Sequence, residues 1–166
     1  YNGLNRVRLA RLFPNGDLDK SFDPDIGPDF TVNSVDILAN GYVVVGGDFD
    51  LFNLKPSAGV VLLDSSGKLV EDFVIGEGFD GSVKKVVAQP DLSIIVAGLF
   101  TRYQGVGVNR VTRLKLDGSR DEGFEIGSGA NAGIYEVLLQ PDGKILLGGD
   151  FSLFNGLNKN AIVRLN

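Results

Sequence analysis

Gln140-Pro141-Asp142-Gly143-Lys144-Ile145-Leu146-Leu147-Gly148-Gly149-Asp150-Phe151 decides how this chain folds, because it occurs more than once. Gln89-Pro90-Asp91 opens the same stretch 51 residues earlier, and Leu38-Ala39-Asn40 opens a weaker copy before that. Its end, Gly149-Asp150-Phe151, returns as Gly47-Asp48-Phe49 and Gly98-Leu99-Phe100 at the same interval. Asn15-Gly16, Ser66-Gly67 and Asp117-Gly118 keep that spacing, as do Phe22, Phe73 and Phe124, and Gly27, Gly78 and Gly129. No insertion or deletion is needed. A fixed period of this kind marks a chain built from repeated supersecondary units.

Within a unit the signals are those of short strands. Val32, Val35 and Ile37 lead to Asn40-Gly41, a tight hairpin signal that Asp142-Gly143 repeats. Tyr42-Val43-Val44-Val45, Ile94-Ile95-Val96 and Ile145-Leu146-Leu147 follow as continuous apolar runs. Such runs predict strands buried on both faces. Gly46-Gly47 then predicts a bulge or a close backbone approach. After a polar loop come Val60-Val61-Leu62-Leu63, Val111-Thr112-Arg113-Leu114 and Ile162-Val163-Arg164-Leu165, and a second Gly turn opens a short outer segment. The reading is four antiparallel strands per 51 residues and almost no helix.

An aromatic-polar-Gly corner appears as Tyr1-Asn2-Gly3, Phe52-Asn53-Leu54, Tyr103-Gln104-Gly105 and Phe154-Asn155-Gly156. Units of about 1–51, 52–102 and 103–153 leave residues 154–166 as a partial fourth, which repeats residues 1–13. Two architectures suit such a unit, a β-propeller blade and a β-trefoil lobe. The surplus strand favours blades cut from a longer array, since a closed three-fold barrel has no place for it. Propellers carry about 4–8 blades, so three blades would leave two apolar faces bare. The chain opens on Tyr1 rather than Met, which reads as processing or as a segment of something longer.

Composition limits the chemistry. The 166 residues contain no His, Cys, Met or Trp. There is no imidazole base, no Ser-His-Asp triad, no thiolate and no His- or Cys-ligated metal. Gly is abundant, 23 residues, and irregularly spaced, as many tight turns require. The net charge is −5 with no basic block, so nucleic acid and anionic membrane surfaces are disfavoured partners. No apolar run approaches the ~18 residues of a membrane helix, so no membrane insertion is expected.

The run Arg113-Leu114-Lys115-Leu116-Asp117-Gly118-Ser119, then Asp121 and Phe124, then Gln140 to Phe151 and Phe154-Asn155-Gly156, resembles the delta-60 repeat, also described as a β-propeller domain of unknown function. The resemblance covers the whole chain and is strongest in the third unit. It implies propeller blades in large secreted or cell-surface proteins of bacteria, often in arrays beside adhesion-type or sorting domains. It implies no established enzyme activity and no established ligand. The first unit departs at Ala39-Asn40-Gly41, and the second at Leu92-Ser93 and Leu54-Lys55-Pro56.

The candidate binding residues are the corners: Tyr1, Asn2, Phe52, Asn53, Tyr103, Gln104, Phe154 and Asn155. A ring of aromatics beside amides could stack on sugars or grip a peptide. The competing reading makes them wedges between blades, and repetition favours it, because a structural role recurs in every unit and a binding site does not. Asn15, Asp17 and Asp19, with Asp23 and Asp25 nearby, have oxygen spacing suited to calcium but equally to turns. Arg11, Arg113 and Arg164 could bind an anion; pairing with a neighbouring Asp is the simpler role. No carboxylate pair stands out for catalysis, and no catalytic residue, metal or cofactor is assigned. The expected function is a non-enzymatic scaffold presenting loops to a protein or surface glycan, joined to further repeats or neighbouring domains. A carbohydrate-binding module and a calcium-stabilised adhesive repeat are the alternatives.

Overall fold

The computed structural model describes residues 6–166. Among them there is no helix; the chain forms fifteen strands in small antiparallel sheets. The first sheet joins β1 (Val32–Ile37), β2 (Val43–Gly47) and β5 (Val60–Leu63), in that spatial order. β3 (Leu51–Phe52) and β4 (Lys55–Pro56) form a separate two-residue hairpin in the connection. The pattern repeats with β6 (Val83–Ala88), β7 (Ile94–Gly98) and β10 (Val111–Leu114) around the hairpin β8 (Arg102–Tyr103) and β9 (Val106–Gly107). It repeats again with β11 (Ile134–Leu139), β12 (Ile145–Gly149) and β15 (Ile162–Leu165) around β13 (Leu153–Phe154) and β14 (Leu157–Asn158).

Two expectations change. The strand read as surplus, Ile162–Leu165, is the trailing strand of the third sheet, pairing Ile145↔Leu165 through Gly148↔Ile162. Each sheet therefore straddles the boundary drawn through the sequence unit. The four-stranded unit is corrected to three strands and a single bridging pair: Leu12↔Leu18, Leu63↔Leu69 and Leu114↔Arg120. The reason is the Gly turn at 16, 67 and 118, which reverses the chain so tightly that the outer segment leaves the edge after one pair. No six-stranded barrel of the β-trefoil kind is present among the described residues.

The sheets stack face to face, with the leading strands β1, β6 and β11 side by side in turn. Val44, Val60 and Leu62 of the first sheet pack against Val83, Val86, Ile94 and Val96 of the second. Ile95, Ala97 and Val111 on its other face meet Ile134, Val137, Ile145 and Leu147 of the third. This explains the unbroken apolar run of β7, which faces a neighbouring sheet on both sides, and that of β2, which is enclosed by the second sheet on one face and by Leu9 and Phe22 on the other. Every Val, Leu or Ile so enclosed contributes about 1.5–3 kcal/mol. The two outer faces differ. Leu9 and Phe22 cover Val43, Val45, Val61 and Leu63 of the first sheet. On the third, Ile162 is 61% exposed, although its equivalents Val60 and Val111 are 0% exposed.

The Gly-x-Phe motif locks the bend after each middle strand. Asp48, Leu99 and Asp150 donate backbone N–H bonds of 2.8–2.9 Å to the carbonyls of Thr31, Ser82 and Gly133. A Cβ on Gly47, Gly98 or Gly149 would run into those same carbonyl oxygens. Glycine is required there by the approach of two backbones.

Candidate functional site

The described corner aromatics turn inward. Phe52, Tyr103 and Phe154 are buried. Phe52 meets Phe49 edge-on at 6.0 Å, Phe154 meets Phe151 at 6.2 Å, and Tyr103 lies 4.5 Å from Phe79. The Tyr103 hydroxyl donates to Gly118 O at 2.6 Å, and burial pushes its pKa up. Phe52, Tyr103 and Phe154 occupy the wedge positions that repetition favours, because each two-residue hairpin folds its ring inward.

Their polar neighbours clamp the preceding Gly turn. Asn53 Oδ1 accepts from Gly27 N at 2.7 Å while Asn53 N donates to Gly27 O at 3.0 Å. Asn155 does the same with Gly129, at 2.8 and 2.9 Å. Gln104 N donates to Gly78 O at 2.9 Å. Tyr1 and Asn2 lie outside the described residues.

The acidic turn is also occupied internally. Asn15 Oδ1 accepts from Asp17 N, Asp19 takes the Ser21 hydroxyl and Arg11, Asp23 lies 3.5 Å from Arg6, and Asp25 pairs with Lys68 at 2.6 Å. These oxygens point at separate donors and do not converge. Arg11 and Arg113 pair with Asp19 and Asp121 at 2.7 Å and lie over Phe22 and Phe124, 4.8 and 5.0 Å from the ring centroids.

A different site emerges where the leading strands begin. The pairing skips one residue in each: between Val32 and Ser34, between Val83 and Lys85, and between Ile134 and Glu136. The bulged residues are Asn33, Lys84 and Tyr135. A bulge leaves its residue unpaired and re-aims the side chain. Beside them stands the residue after the obligatory glycine: Asp48, Leu99 or Asp150.

The two columns interact. Asn33 Nδ2 donates to Asp48 Oδ1 at 2.9 Å, and the Tyr135 hydroxyl donates to Asp150 Oδ2 at 2.8 Å. Lys84 has only Leu99 in its own sheet, so it reaches back to Asp48 at 3.3 Å. Ser82 also donates to Asp48. Burial raises the Asp48 pKa, but the donors Ser82, Asn33 and Lys84 outweigh it and hold the carboxyl below its usual value. Donation to the Asp150 carboxylate raises the pKa of Tyr135.

Sequence reasoning missed this site because it searched for what repeats. The available signal was the opposite: columns 33/84/135 and 48/99/150 change chemistry beside the constant glycines 47/98/149 and phenylalanines 49/100/151.

The arrangement gathers two carboxylates, a lysine, an amide and a phenol at the starts of the leading strands. No curated protein matches the chain. A family model for the DUF5122 β-propeller domain of unknown function matches residues 1–22, 89–124 and 140–166, together just over half of the chain. Those segments carry the Gly turns at 16 and 118, the trailing strands β10 and β15 and the bend at Gly148-Gly149-Asp150-Phe151, and the chain belongs to this family of β-propeller domains of unknown function.

Proposed function

We propose that the chain is a non-catalytic propeller scaffold that presents the starting ends of its leading strands to a macromolecular partner. The observation that carries this is the contrast at the bulge. Gly47, Gly98 and Gly149 and Phe49, Phe100 and Phe151 are constant, while Asn33, Lys84 and Tyr135 occupy one structural position with three chemistries. A side chain needed for the fold would recur; one needed for a partner need not.

The sheets are blades of a larger propeller in this reading. Exposed Ile162, at a position wholly buried in the other sheets, supports a following blade. A secreted or cell-surface setting in bacteria rests on the resemblance of the repeat.

The test combines Asn33→Ala, Lys84→Ala and Tyr135→Ala and screens peptide and surface-glycan panels against the parent. The expected result is loss of the parent's ligands with the sheets intact by circular dichroism, while Lys55→Ala, in the exposed pair with Glu71, leaves binding intact. Ligands retained by the triple variant would count against the reading, as would turnover of any of them.

A further inference from the structure

We infer that the second outer turn holds a small-molecule site for an uncharged aromatic compound, in a cavity of about 290 Å³ beside the Phe73 ring. The cavity shares no residue with the strand-start site, so this goes beyond the scaffold reading. It lies between β5, the end of the β3–β4 hairpin and the outer segment at residues 69–76. Its apolar wall is built from Val60, Leu62, Val70, Phe73, Val74 and Ile75.

Comparison with the sister turns gives the reason for this space. Arg11 lies 4.8 Å over Phe22 and Arg113 lies 5.0 Å over Phe124, each held by its aspartate. In the second turn Leu62 stands at the position of the arginine and Val70 at that of the aspartate. A leucine ends where a guanidinium would begin. The space bounded by Leu62, Val70 and Phe73 is therefore left as a cavity.

The wall asks for no polar group. The backbone N–H groups of Val70, Phe73 and Val74 donate to Leu62 O, Val70 O and Asp117 O at 2.9, 3.1 and 2.9 Å. The Ser57 hydroxyl donates to Lys55 O at 3.0 Å. No buried side-chain polar atom of this wall lacks a hydrogen-bond partner. At the rim Lys55 and Glu71 pair at 2.7 Å and are 57% and 75% exposed, so their charges answer each other in water and select neither sign. A charged guest would lose its hydration here without replacement. An apolar guest loses nothing of the kind: a hydrocarbon cavity of roughly 150 Å³ holds benzene, and this larger one suits two fused rings. A flat ring also packs against Phe73 where the sister turns place a guanidinium plane, which favours an aromatic guest over an aliphatic one.

The experiment titrates naphthalene into the whole chain carrying isotope-labelled Leu and Val methyl groups and follows them by NMR. The Leu62, Val70 and Val74 methyl resonances shift and saturate at one naphthalene per chain. Naphthoate and the naphthylmethylammonium ion carry opposite charges on the same rings, and both bind at least about tenfold more weakly. Val70→Phe fills the cavity and abolishes the shifts at Leu62. Val74→Phe blocks the cavity from its exposed side, since Val74 is 63% exposed, and gives the same loss without entering the core. Leu62→Arg with Val70→Asp puts the sister ion pair into the space and removes binding in the same way.

Absence of saturable shifts in the parent overturns the inference, and so does naphthalene binding that survives both Val70→Phe and Val74→Phe. Either charged analogue binding as tightly as naphthalene overturns the assignment of an uncharged ligand. Circular dichroism on each variant confirms that the sheets are intact, and should Val70→Phe fail to fold, Val74→Phe carries the test.

Discussion

The outer turns of the first and third units are held by an ion pair, and that of the second by hydrocarbon. Arg11–Asp19 under Phe22 and Arg113–Asp121 under Phe124 are near copies. The second unit has Leu62, Val70 and Phe73 at the same places, inside the core between the first two sheets. The backbone is indifferent to the change. Asp19 N to Arg11 O, Val70 N to Leu62 O and Asp121 N to Arg113 O measure 2.9, 2.9 and 2.8 Å. The turn is therefore fixed by glycine and backbone bonding, and the side-chain pair on it can be polar or apolar provided both members match.

Leu62→Arg alone breaks the match most severely. Leu62 is buried between sheets, and an unpaired guanidinium there costs on the order of 3 kcal/mol. Adding Val70→Asp recreates the pair of the sister units and recovers part of that loss in urea titrations. If the double variant is no better than the single, the two chemistries are not interchangeable and the comparison fails.

The reverse exchange has a smaller effect. Arg113→Leu leaves Asp121 without its guanidinium and costs about 1–2 kcal/mol. Arg113→Leu with Asp121→Val copies the second unit and stays within about 0.5 kcal/mol of the parent. A double-mutant cycle measures the coupling directly. Coupling near zero would mean that the stacked phenylalanine, not the ion pair, holds the turn.

The second unit differs in one more way that sharpens the contrast. Leu54, at φ 64°, occupies the left-handed position held by Gly105 and Gly156 in the other hairpins. Leu54 is exposed and gains little from burial. Leu54→Gly should raise stability by about 0.5 kcal/mol, the relief of left-handed strain exceeding the entropy cost of glycine. A thermal melt that shifts downward would show that the leucine makes a compensating contact.

These cases show which features were legible in sequence. The strands were, because β-branched runs between Asn-Gly or Asp-Gly turns admit few other conformations. The bend at Gly47 was, since Gly46-Gly47 signals close backbones and the 51-residue period carries its glycine to Gly98 and Gly149. Sheet membership was not: Ile162–Leu165 looks like a leftover until its hydrogen bonds to Ile145–Gly148 are seen. The inward turn of Phe52 and Phe154 was legible only through their repetition, because a two-residue hairpin has too few positions to display alternation. The bulges at Asn33, Lys84 and Tyr135 carry no residue signature, so the site they create could be read only from how those columns vary.

The smallest expected effect is on acid stability. Hydrogen bonds from Ser21, with Arg11 behind them, hold Asp19 below its usual pKa; the Gly123 N–H, with Arg113, does so for Asp121. A carboxylate depressed in the folded state contributes stability that is complete above its unfolded value of about 3.9 and is lost as pH falls through the lower folded value. Asp64, Asp91, Asp117 and Asp142 are depressed by their own turn hydrogen bonds and act in the same direction. The parent should therefore lose stability steadily below about pH 4. Val70 supplies nothing to that slope, so making the third turn like the second removes one contributor. Arg113→Leu with Asp121→Val should fall less steeply than the parent in that window while matching it at neutral pH. The difference is small because both partners are partly solvated. Parallel acid titrations for the two proteins would mean that Asp121 is no more stabilised folded than unfolded, leaving the apolar and ionic turns equivalent at every pH.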